Sequence, residues 1–196
     1  MITFIIKGSK ARTTPDFLLK DLPGTGGRMD IMCRCLTSSL LLSHGIREDV
    51  EVILSLNGSP DAPKCIRVVG SEVKFLSPDE RSTSILIRKA LSAYKVGMEV
   101  ESTPGIYVSD ESFASLVEKN KDRLVVLDEE GEYMDEIDMV DPCFVVGDHL
   151  GFSEEEETIL NKSNVRLKLS PKILHASQCI VLSLNIIDRS RDRSDL

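Results

Sequence analysis

The sequence contains no apolar run of about 18 residues, and no basic segment followed by an apolar one stands at its N-terminus. The first absence argues against a transmembrane helix, and the second argues against a secretory signal peptide. We therefore expect a soluble cytoplasmic protein without a membrane partner. At 196 residues the chain is long enough to bury a sizeable core.

Cysteine is sparse and shows no pairing pattern. The cysteines are odd in number, scattered and mostly inside apolar runs: Cys33, Cys35, Cys65, Cys143 and Cys179. This usage favours free thiols in a reducing compartment over a disulfide framework. His175 and Cys179 are four residues apart, but no second ligand pair of recognisable spacing accompanies them. We expect no metal site.

Motifs of common catalytic sites are also missing. The glycine-rich segment Leu22 to Arg28 lacks the lysine and hydroxyl of a Walker loop and does not match GxGxxG, so it is a weak candidate for a phosphate cradle. Ser43-His44 and Asp148-His149 contain residue types of a catalytic triad. Without a GxSxG motif, however, a hydrolase is not favoured.

The negative charge is concentrated in one segment. The net charge is -8, but residues Asp128 to Glu157 contain 13 Asp and Glu and no Lys or Arg. The other 32 - 13 = 19 acidic residues share the rest of the chain with all 24 Lys and Arg. The rest of the chain therefore has a net charge of 24 - 19 = +5. This distribution is compatible with RNA on one face of the protein, although it is not evidence for RNA.

Strand-like and helix-like segments alternate, which predicts a single α/β domain over residues 1–196 with a mainly parallel sheet flanked by helices. The predicted strands are Thr3 to Lys7, Val50 to Leu56, Lys64 to Val69, Ile106 to Val108, Leu124 to Leu127 (closed by an Asp-Glu-Glu-Gly turn), Cys143 to Val146 and Val165 to Leu169. The predicted helices run from an Asp30 cap to His44, from a Ser77 capping box to Tyr94, from Asp110 to Asn120, from Ser153 onward, and from Lys172 to Asp188.

Two of these strands end in loops that are candidates for one pocket. Cys143 to Val146 ends at Gly147, and Val165 to Leu169 ends at Ser170-Pro171. Ligands of open α/β sheets bind beyond the carboxyl ends of neighbouring strands. The alternative is that Gly147 and Pro171 only allow the chain to turn.

Arg28, Asp30 and Arg34 form a second candidate site. Asp30 and Arg34 are four residues apart on one face of a predicted helix, beside the glycine-rich segment. Guanidinium groups at such a place can bind phosphate or a base, so these residues are candidates for RNA binding. A surface ion pair explains the same pattern without a ligand.

Five stretches carry a resemblance to a known family: LPGTGGRMDIMCRC, SPDER, STPGIYV, VVGDHLG and LSPKILHASQCI. In this order, and across nearly the whole chain, they resemble the archaeal tRNA pseudouridine N1-methyltransferases (the TrmY family of the SPOUT superfamily). The resemblance implies an α/β fold with a deep C-terminal trefoil knot over about residues 124–196. It also implies a homodimer, with S-adenosylmethionine held in the knot loops.

The resemblance further implies a function and a donor site. The substrate would be tRNA, methylated at N1 of pseudouridine 54 in the T-loop, and no catalytic base is assigned. The residues that match the family's donor site are Leu127, Gly147, Leu169, Ser170, Pro171, Lys172, Ile173, Leu174 and Cys179. Two alternatives stay open. One is another SPOUT RNA methyltransferase, acting on ribosomal pseudouridine N1 or on a ribose 2'-oxygen, and the other is a non-catalytic RNA-binding or assembly protein.

Two arrangements are expected for such an enzyme. The predicted C-terminal helix has more apolar residues than one buried face needs, with Val181, Leu182 and Ile186 beyond the main row, so part of it should lie in a dimer interface. The region around Arg28, Asp30 and Arg34 should contact tRNA and reach across the dimer to the donor pocket of the other chain. The acidic segment Asp128 to Glu157 should face largely away from the RNA.

Overall fold

A computed structural model describes residues 1–135, 139–161 and 165–194 of the chain. Its strands are β1 (Ile2–Gly8), β2 (Leu41–Leu42), β3 (Gly45–Ile46), β4 (Val50–Leu56), β5 (Lys64–Val69), β6 (Val100–Thr103), β7 (Ile106–Ser109), β8 (Leu124–Tyr133), β9 (Cys143–Val146) and β10 (Arg166–Lys168). Its helices are α1 (Met29–Leu40), α2 (Glu80–Ala93), α3 (Phe113–Asn120), α4 (Glu154–Leu160) and α5 (Ala176–Ser194).

Eight of the strands form one mixed sheet in the order β10-β8-β9-β1-β4-β5-β7-β6. The first five are mutually parallel, and β5, β7 and β6 extend the sheet by antiparallel pairing. The prediction of an α/β fold with a mainly parallel sheet is thus confirmed for the half that contains both candidate loops. The short strands β2 and β3 pair only with each other.

Helices cover both faces of the sheet. One core cluster joins α1, α2 and α5 to one face, and a second joins α3 and α4 to the other. β1 lies in the middle and contributes to both, with Phe4 in the first cluster and Ile5 in the second. A strand that is buried on both faces needs a continuous apolar run, which is why Phe4 to Ile6 shows no polar alternation.

The predicted boundaries of five elements were wrong: α1, α2, α3, α5 and β8. α3 begins at Phe113 after a Ser112 cap, instead of at Asp110. α1 begins at Met29 after Arg28, so Asp30 is not the helix cap, and α1 ends at Leu40 instead of His44 because the chain turns into β2 and β3. The cap of α2 is Asp79, whose carboxylate accepts from the backbone N–H of Ser82, and not Ser77. α5 begins at Ala176, four residues after Lys172, and continues to Ser194.

The remaining wrong boundary is the end of β8, which continues through the predicted Asp-Glu-Glu-Gly turn to Tyr133. Arg166 of β10 pairs with Val126, but the next residue, Leu167, pairs with Glu132. Residues 127–131 therefore leave the regular ladder as an irregular arch between two paired parts of β8. β9 lies on the other side of β8, so the connection from β9 to β10 crosses over β8.

None of the described helices is both long and apolar enough to cross a membrane.

Candidate functional site

A cavity of about 590 Å³ lies at the carboxyl ends of β8, β9 and β10, beside the start of α1. Its volume is in the range of small-molecule sites. Eight of the nine residues predicted to bind the methyl donor line it: Leu127, Gly147, Leu169, Ser170, Lys172, Ile173, Leu174 and Cys179. Pro171 is exposed and does not line the cavity. The structure thus brings the two candidate loops together, while their role in donor binding stays a prediction.

The first loop, residues 147–153, is fixed to the end of β1, and we call it the tethered loop. The Asp148 carboxylate is 2% exposed and accepts from the Ser9 backbone N–H at 2.7 Å and from Ser9 Oγ at 2.8 Å. It also accepts from the backbone N–H of Leu150 at 3.0 Å. Because all these donors are satisfied by one buried carboxylate, the start of the loop has a defined position.

A second contact fixes the far end of the tethered loop. The buried Lys7 ammonium donates to the Gly151 carbonyl at 3.1 Å and pairs with the Glu156 carboxylate at 2.5 Å. Within the loop, a Cβ on Gly147 would lie 3.1 Å from Gly151 Cα. A larger residue there would require Gly151 to shift by a few tenths of an ångström. A left-handed backbone does not explain this glycine, since Gly147 does not have a positive φ.

The second loop, residues 169–175, is called here the exposed loop. Its hydrogen bonds are local: the Lys172 N–H donates to Ser170 Oγ, and the His175 N–H donates to the Gln178 side chain at the start of α5. Ile173 is 82% exposed although it lines the cavity. The loop therefore depends on its two ends for its position.

The strand before the exposed loop is held by Arg166. Its guanidinium donates to Asp128 at 2.5 Å and to Glu157 at 2.7 Å. Partial burial acts to raise the pKa of Asp128, but hydrogen bonds from the Glu130 backbone and from Arg166 outweigh burial and hold that pKa below its ordinary value. Asp128 is therefore ionised under ordinary conditions and joins the arch of β8 to β10.

Arg28 and Arg34 also line this cavity, within the same chain. Asp30 lies behind them: its carboxylate accepts from Arg28 at 3.1 Å and from Arg34 at 2.8 Å, and Arg34 also binds Glu80 at 2.8 Å. Burial acts to raise the pKa of Asp30, but these two arginines lower it overall. The cluster needs no second chain to reach the predicted donor pocket, which differs from our expectation.

The acidic segment does not face away from the cavity as a whole. Four of its 13 acidic residues line the cavity: Asp128, Glu129, Asp148 and Glu157. The reason is topological, because Asp128 and Glu129 lie in the arch of β8, Asp148 follows the carboxyl end of β9, and Glu157 lies in α4. The expectation that the segment faces largely away from the RNA stays a prediction.

The glycine-rich segment Leu22 to Arg28 is a packed turn and not an open cradle. A Cβ on Gly27 would lie 1.8 Å from the Lys10 carbonyl oxygen, and one on Gly26 would lie 2.5 Å from the Leu22 carbonyl oxygen. Gly27 and Arg28 both have positive φ, at 60° and 68°. Glycine here allows two backbone segments to touch and sets the entry into α1.

The cysteines are unpaired, and burial raises the pKa of Cys35, Cys65 and Cys143 to about 12. Burial also raises the pKa of Cys179, which lines the cavity, so its thiol is neutral and is not an activated nucleophile. No group of three or more His, Cys, Asp and Glu able to hold a metal ion occurs among the described residues.

Sequence reasoning missed three residues that shape this site: Lys7, Ser9 and Glu129. Lys7 and Ser9 end a short apolar strand, and their partners are more than 135 positions away. A lysine at the end of an otherwise apolar predicted strand was the available signal, since a buried lysine requires a partner. Glu129 was assigned to a surface turn.

Comparison with known proteins gives a family. Residues 1–192 match the profile of a family described as "Putative SAM-dependent RNA methyltransferase". The chain is 44% identical to the tRNA (pseudouridine(54)-N(1))-methyltransferase of Methanococcoides burtonii, with 97% of each chain covered. It is 43% identical to that of Methanocaldococcus jannaschii, with 97% of this chain and 98% of the relative covered.

A solved structure has a similar fold: Archaeoglobus fulgidus Nep1 bound to S-adenosylhomocysteine. The TM-score is 0.70 at 16% identity, with 97% of this chain and 99% of that chain covered. The profile match and the identity to these relatives, both over nearly the whole length, lead to one conclusion: the chain belongs to the family of SAM-dependent RNA methyltransferases that includes the tRNA pseudouridine-54 N1-methyltransferases.

Proposed function

We propose that this protein is a tRNA (pseudouridine(54)-N(1))-methyltransferase that uses S-adenosylmethionine, as its relatives' names indicate. The observation that carries the proposal is the cavity, which gathers eight residues predicted for the donor site and two arginines predicted for RNA. A donor pocket and cations for a polyanion are the two parts that such an enzyme needs. An aqueous compartment that contains tRNA, the cytoplasm, is the expected location.

The cavity residues fit the proposed donor. Leu127, Leu169 and Leu174 offer apolar surface to an adenine ring, and Gly147 leaves its backbone accessible. Carboxylates line the same cavity, which suits a sulfonium cation. When bound, S-adenosylmethionine would supply an electrophilic methyl group, and the chain's task is to position N1 of the base in line with it.

Pseudouridine is a distinctive substrate because its ribose is joined to C5, which leaves N1 with a hydrogen. In uridine, N1 carries the sugar and cannot be methylated. The target base must leave its stack to enter a cavity, and this costs less in a loop than in a duplex. Arg28 and Arg34 lie beside the cavity, where they can hold the flanking phosphates.

Methyl transfer from labelled S-adenosylmethionine into matched T-loop transcripts tests this function. One transcript carries pre-installed pseudouridine at the target position and the other carries uridine. We expect transfer only into the first, with the label on N1. Donor binding without transfer into either transcript would favour the alternative of a non-catalytic RNA-binding protein.

The RNA face is tested by Arg28→Ala and Arg34→Ala. Each should weaken tRNA binding and lower the salt slope by about one unit, while donor affinity stays nearly unchanged. Lys95→Ala is the matched control, because Lys95 is exposed and precedes β6 at the opposite edge of the sheet. If both arginine variants bind tRNA like the parent protein across a salt series, the RNA face lies elsewhere.

The proposal includes a two-fold dimer and a C-terminal knot. Val181 and Leu182 on α5 are 50% and 38% exposed, so their apolar side chains can pack against a second copy of this chain. Leu182→Glu should lower the mass measured by sedimentation from two chains to one. The crossing of β8 by the β9–β10 connection is compatible with the knot.

A further inference from the structure

The proposed reaction releases a proton, and the chain offers several carboxylates to receive it. N1 of pseudouridine carries a hydrogen before transfer and a methyl group afterwards, so that hydrogen must leave. Four carboxylates line the cavity: Asp128, Glu129, Asp148 and Glu157. They differ in whether their oxygen atoms are already engaged.

Three of the four carboxylates are engaged. Asp148 is 2% exposed and accepts from two groups of Ser9 and from the backbone of Leu150. Asp128 and Glu157 share the guanidinium of Arg166. A carboxylate bound to an arginine is a weaker proton acceptor, because the proton would have to displace the cation.

The side chain of Glu129 has no hydrogen bond or ion pair within the described parts of the chain, and it is exposed at the cavity. It lies in the arch of residues 127–131, two residues after Leu127 of the predicted donor site. Its oxygens are therefore available to a bound base.

The other titratable groups at the cavity come from five elements, one of which is α5 with the neutral thiol of Cys179. Arg28 and Arg34 at α1 are bound to Asp30, and Lys168 of β10 lies 4.6 Å from the centre of the Tyr133 ring. His149 of the tethered loop lies 3.6 Å from Asp148, and the exposed loop contributes Lys172 and His175. Of these groups, the two histidine side chains are the alternative proton acceptors that a test must distinguish from Glu129.

We propose that Glu129 is the catalytic residue that accepts the N1 proton, an inference that rests on the proposed function. In this step the N1–H bond breaks and the proton moves to a carboxylate oxygen of Glu129. The nitrogen electron pair forms the bond to the methyl carbon, while the methyl–sulfur bond breaks and its electron pair returns to sulfur. Glu129 then loses its proton to water, which its exposure allows.

Glu129→Gln is the direct test, and Glu130→Gln is its matched control. Glu130 is adjacent and exposed, does not line the cavity, and carries the same charge. We expect Glu129→Gln to slow single-turnover transfer into the pseudouridine transcript by about 100-fold or more, the usual contribution of a general base. Glu130→Gln should stay within about twofold of the parent protein, and Glu129→Asp should recover part of the rate.

Two further readouts separate catalysis from a structural role. The calorimetric affinity of Glu129→Gln for tRNA should match that of Glu130→Gln, because both variants lose one negative charge. Its affinity for S-adenosylmethionine should fall far less than its transfer rate, because three other carboxylates also line the cavity. The difference in transfer rate between Glu129→Gln and the parent protein should also become smaller as the pH rises from about 6 to about 9. The reason is that a pseudouridine that has already lost its N1 proton needs no proton acceptor.

The outcomes are distinct. A parent protein that transfers no methyl group to pseudouridine overturns the proposed function together with this inference. If the parent protein is active and Glu129→Gln transfers the methyl group at the same rate, the inference alone is overturned. The same holds if the rate of Glu129→Gln is reduced by the same factor at every pH. Loss of rate in His149→Gln or His175→Gln with an unaffected Glu129→Gln would assign the proton to a histidine instead.

Discussion

The two loops that line the cavity are built in opposite ways. The tethered loop, residues 147–153, is joined to β1 by a buried carboxylate and a buried ammonium. The exposed loop, residues 169–175, has only local hydrogen bonds among the described residues and presents Ile173 to solvent. From this difference we expect the wall formed by the tethered loop to be in place before a ligand binds. We expect ligand binding to restrict the exposed loop further, at a cost in conformational entropy.

The strongest test of this contrast is Gly147→Val in the tethered loop. The new side chain would begin 3.1 Å from Gly151 Cα and would force apart a loop that is fixed at both ends. We expect affinity for S-adenosylmethionine to fall by at least about 100-fold, measured by calorimetry on the folded variant. Gly45→Val is the control, since nothing lies within 4 Å of a Cβ there. Unchanged affinity would mean that this wall does not contact the donor.

Asp148→Ala should have the next largest effect. It leaves the Ser9 and Leu150 N–H groups without their acceptor, which should lower the free energy of unfolding by about 1 to 3 kcal/mol and also weaken donor binding. Ser9→Ala removes one hydrogen bond and should cost about 1 kcal/mol. Urea titrations measure the free energy of unfolding of both variants, and equal m-values would show that the comparison with the parent protein is valid. If Asp148→Ala is as stable as the parent protein, the loop is not held by this contact.

A pair of variants in the exposed loop measures the ordering cost. Ile173→Ala and Ile173→Gly both remove the exposed side chain, but only glycine adds backbone freedom to the unbound loop. We expect the glycine variant to bind the donor about 2 to 5 times more weakly than the alanine variant, equal to about 0.4 to 1 kcal/mol. Both should unfold within about 0.5 kcal/mol of the parent protein. Equal affinities would indicate that the loop is already ordered without the donor.

The smallest expected effect is on how the free energy of unfolding depends on acidic pH. It involves Asp128, whose contact with Arg166 joins the arch of β8 to β10. The pKa of Asp128 lies below its ordinary value of 3.8 in the folded state, so its contact with Arg166 stabilises the fold at higher pH. This stabilisation is lost as the pH falls below 3.8 through the folded value. Asp128→Asn should remove that part of the acid dependence. A stability curve with the same acid dependence in the variant would contradict it.

The strands of the fold were easier to predict than the starts of its helices. The strands β4, β5 and β9 have the predicted bounds, because each is a mainly apolar segment with Gly, Pro, Asn or Asp directly before and after it. The start of α2 was placed at Ser77 because Ser and Asp both suit a helix cap, and only the hydrogen bond to Ser82 selects Asp79.

The candidate site was predictable only in part. That the loops after β9 and β10 share a pocket followed from the general position of ligands in parallel sheets, whereas the individual donor residues came from the family resemblance. The path of β8 was not predictable, because its polar half is a strand only through pairing with β10, about 35 positions along the chain. That error concealed Glu129 in what looked like a surface turn.

The order of the elements along the chain also affects when the cavity can exist. Its lining extends from Arg28 to Cys179, a separation of 179 - 28 = 151 positions. At about 5 to 20 residues per second, the ribosome needs roughly 8 to 30 seconds to make that stretch. During this time α1 lacks α5, which packs against it in the finished protein. The cavity therefore cannot be complete in a nascent chain until the ribosome has made α5.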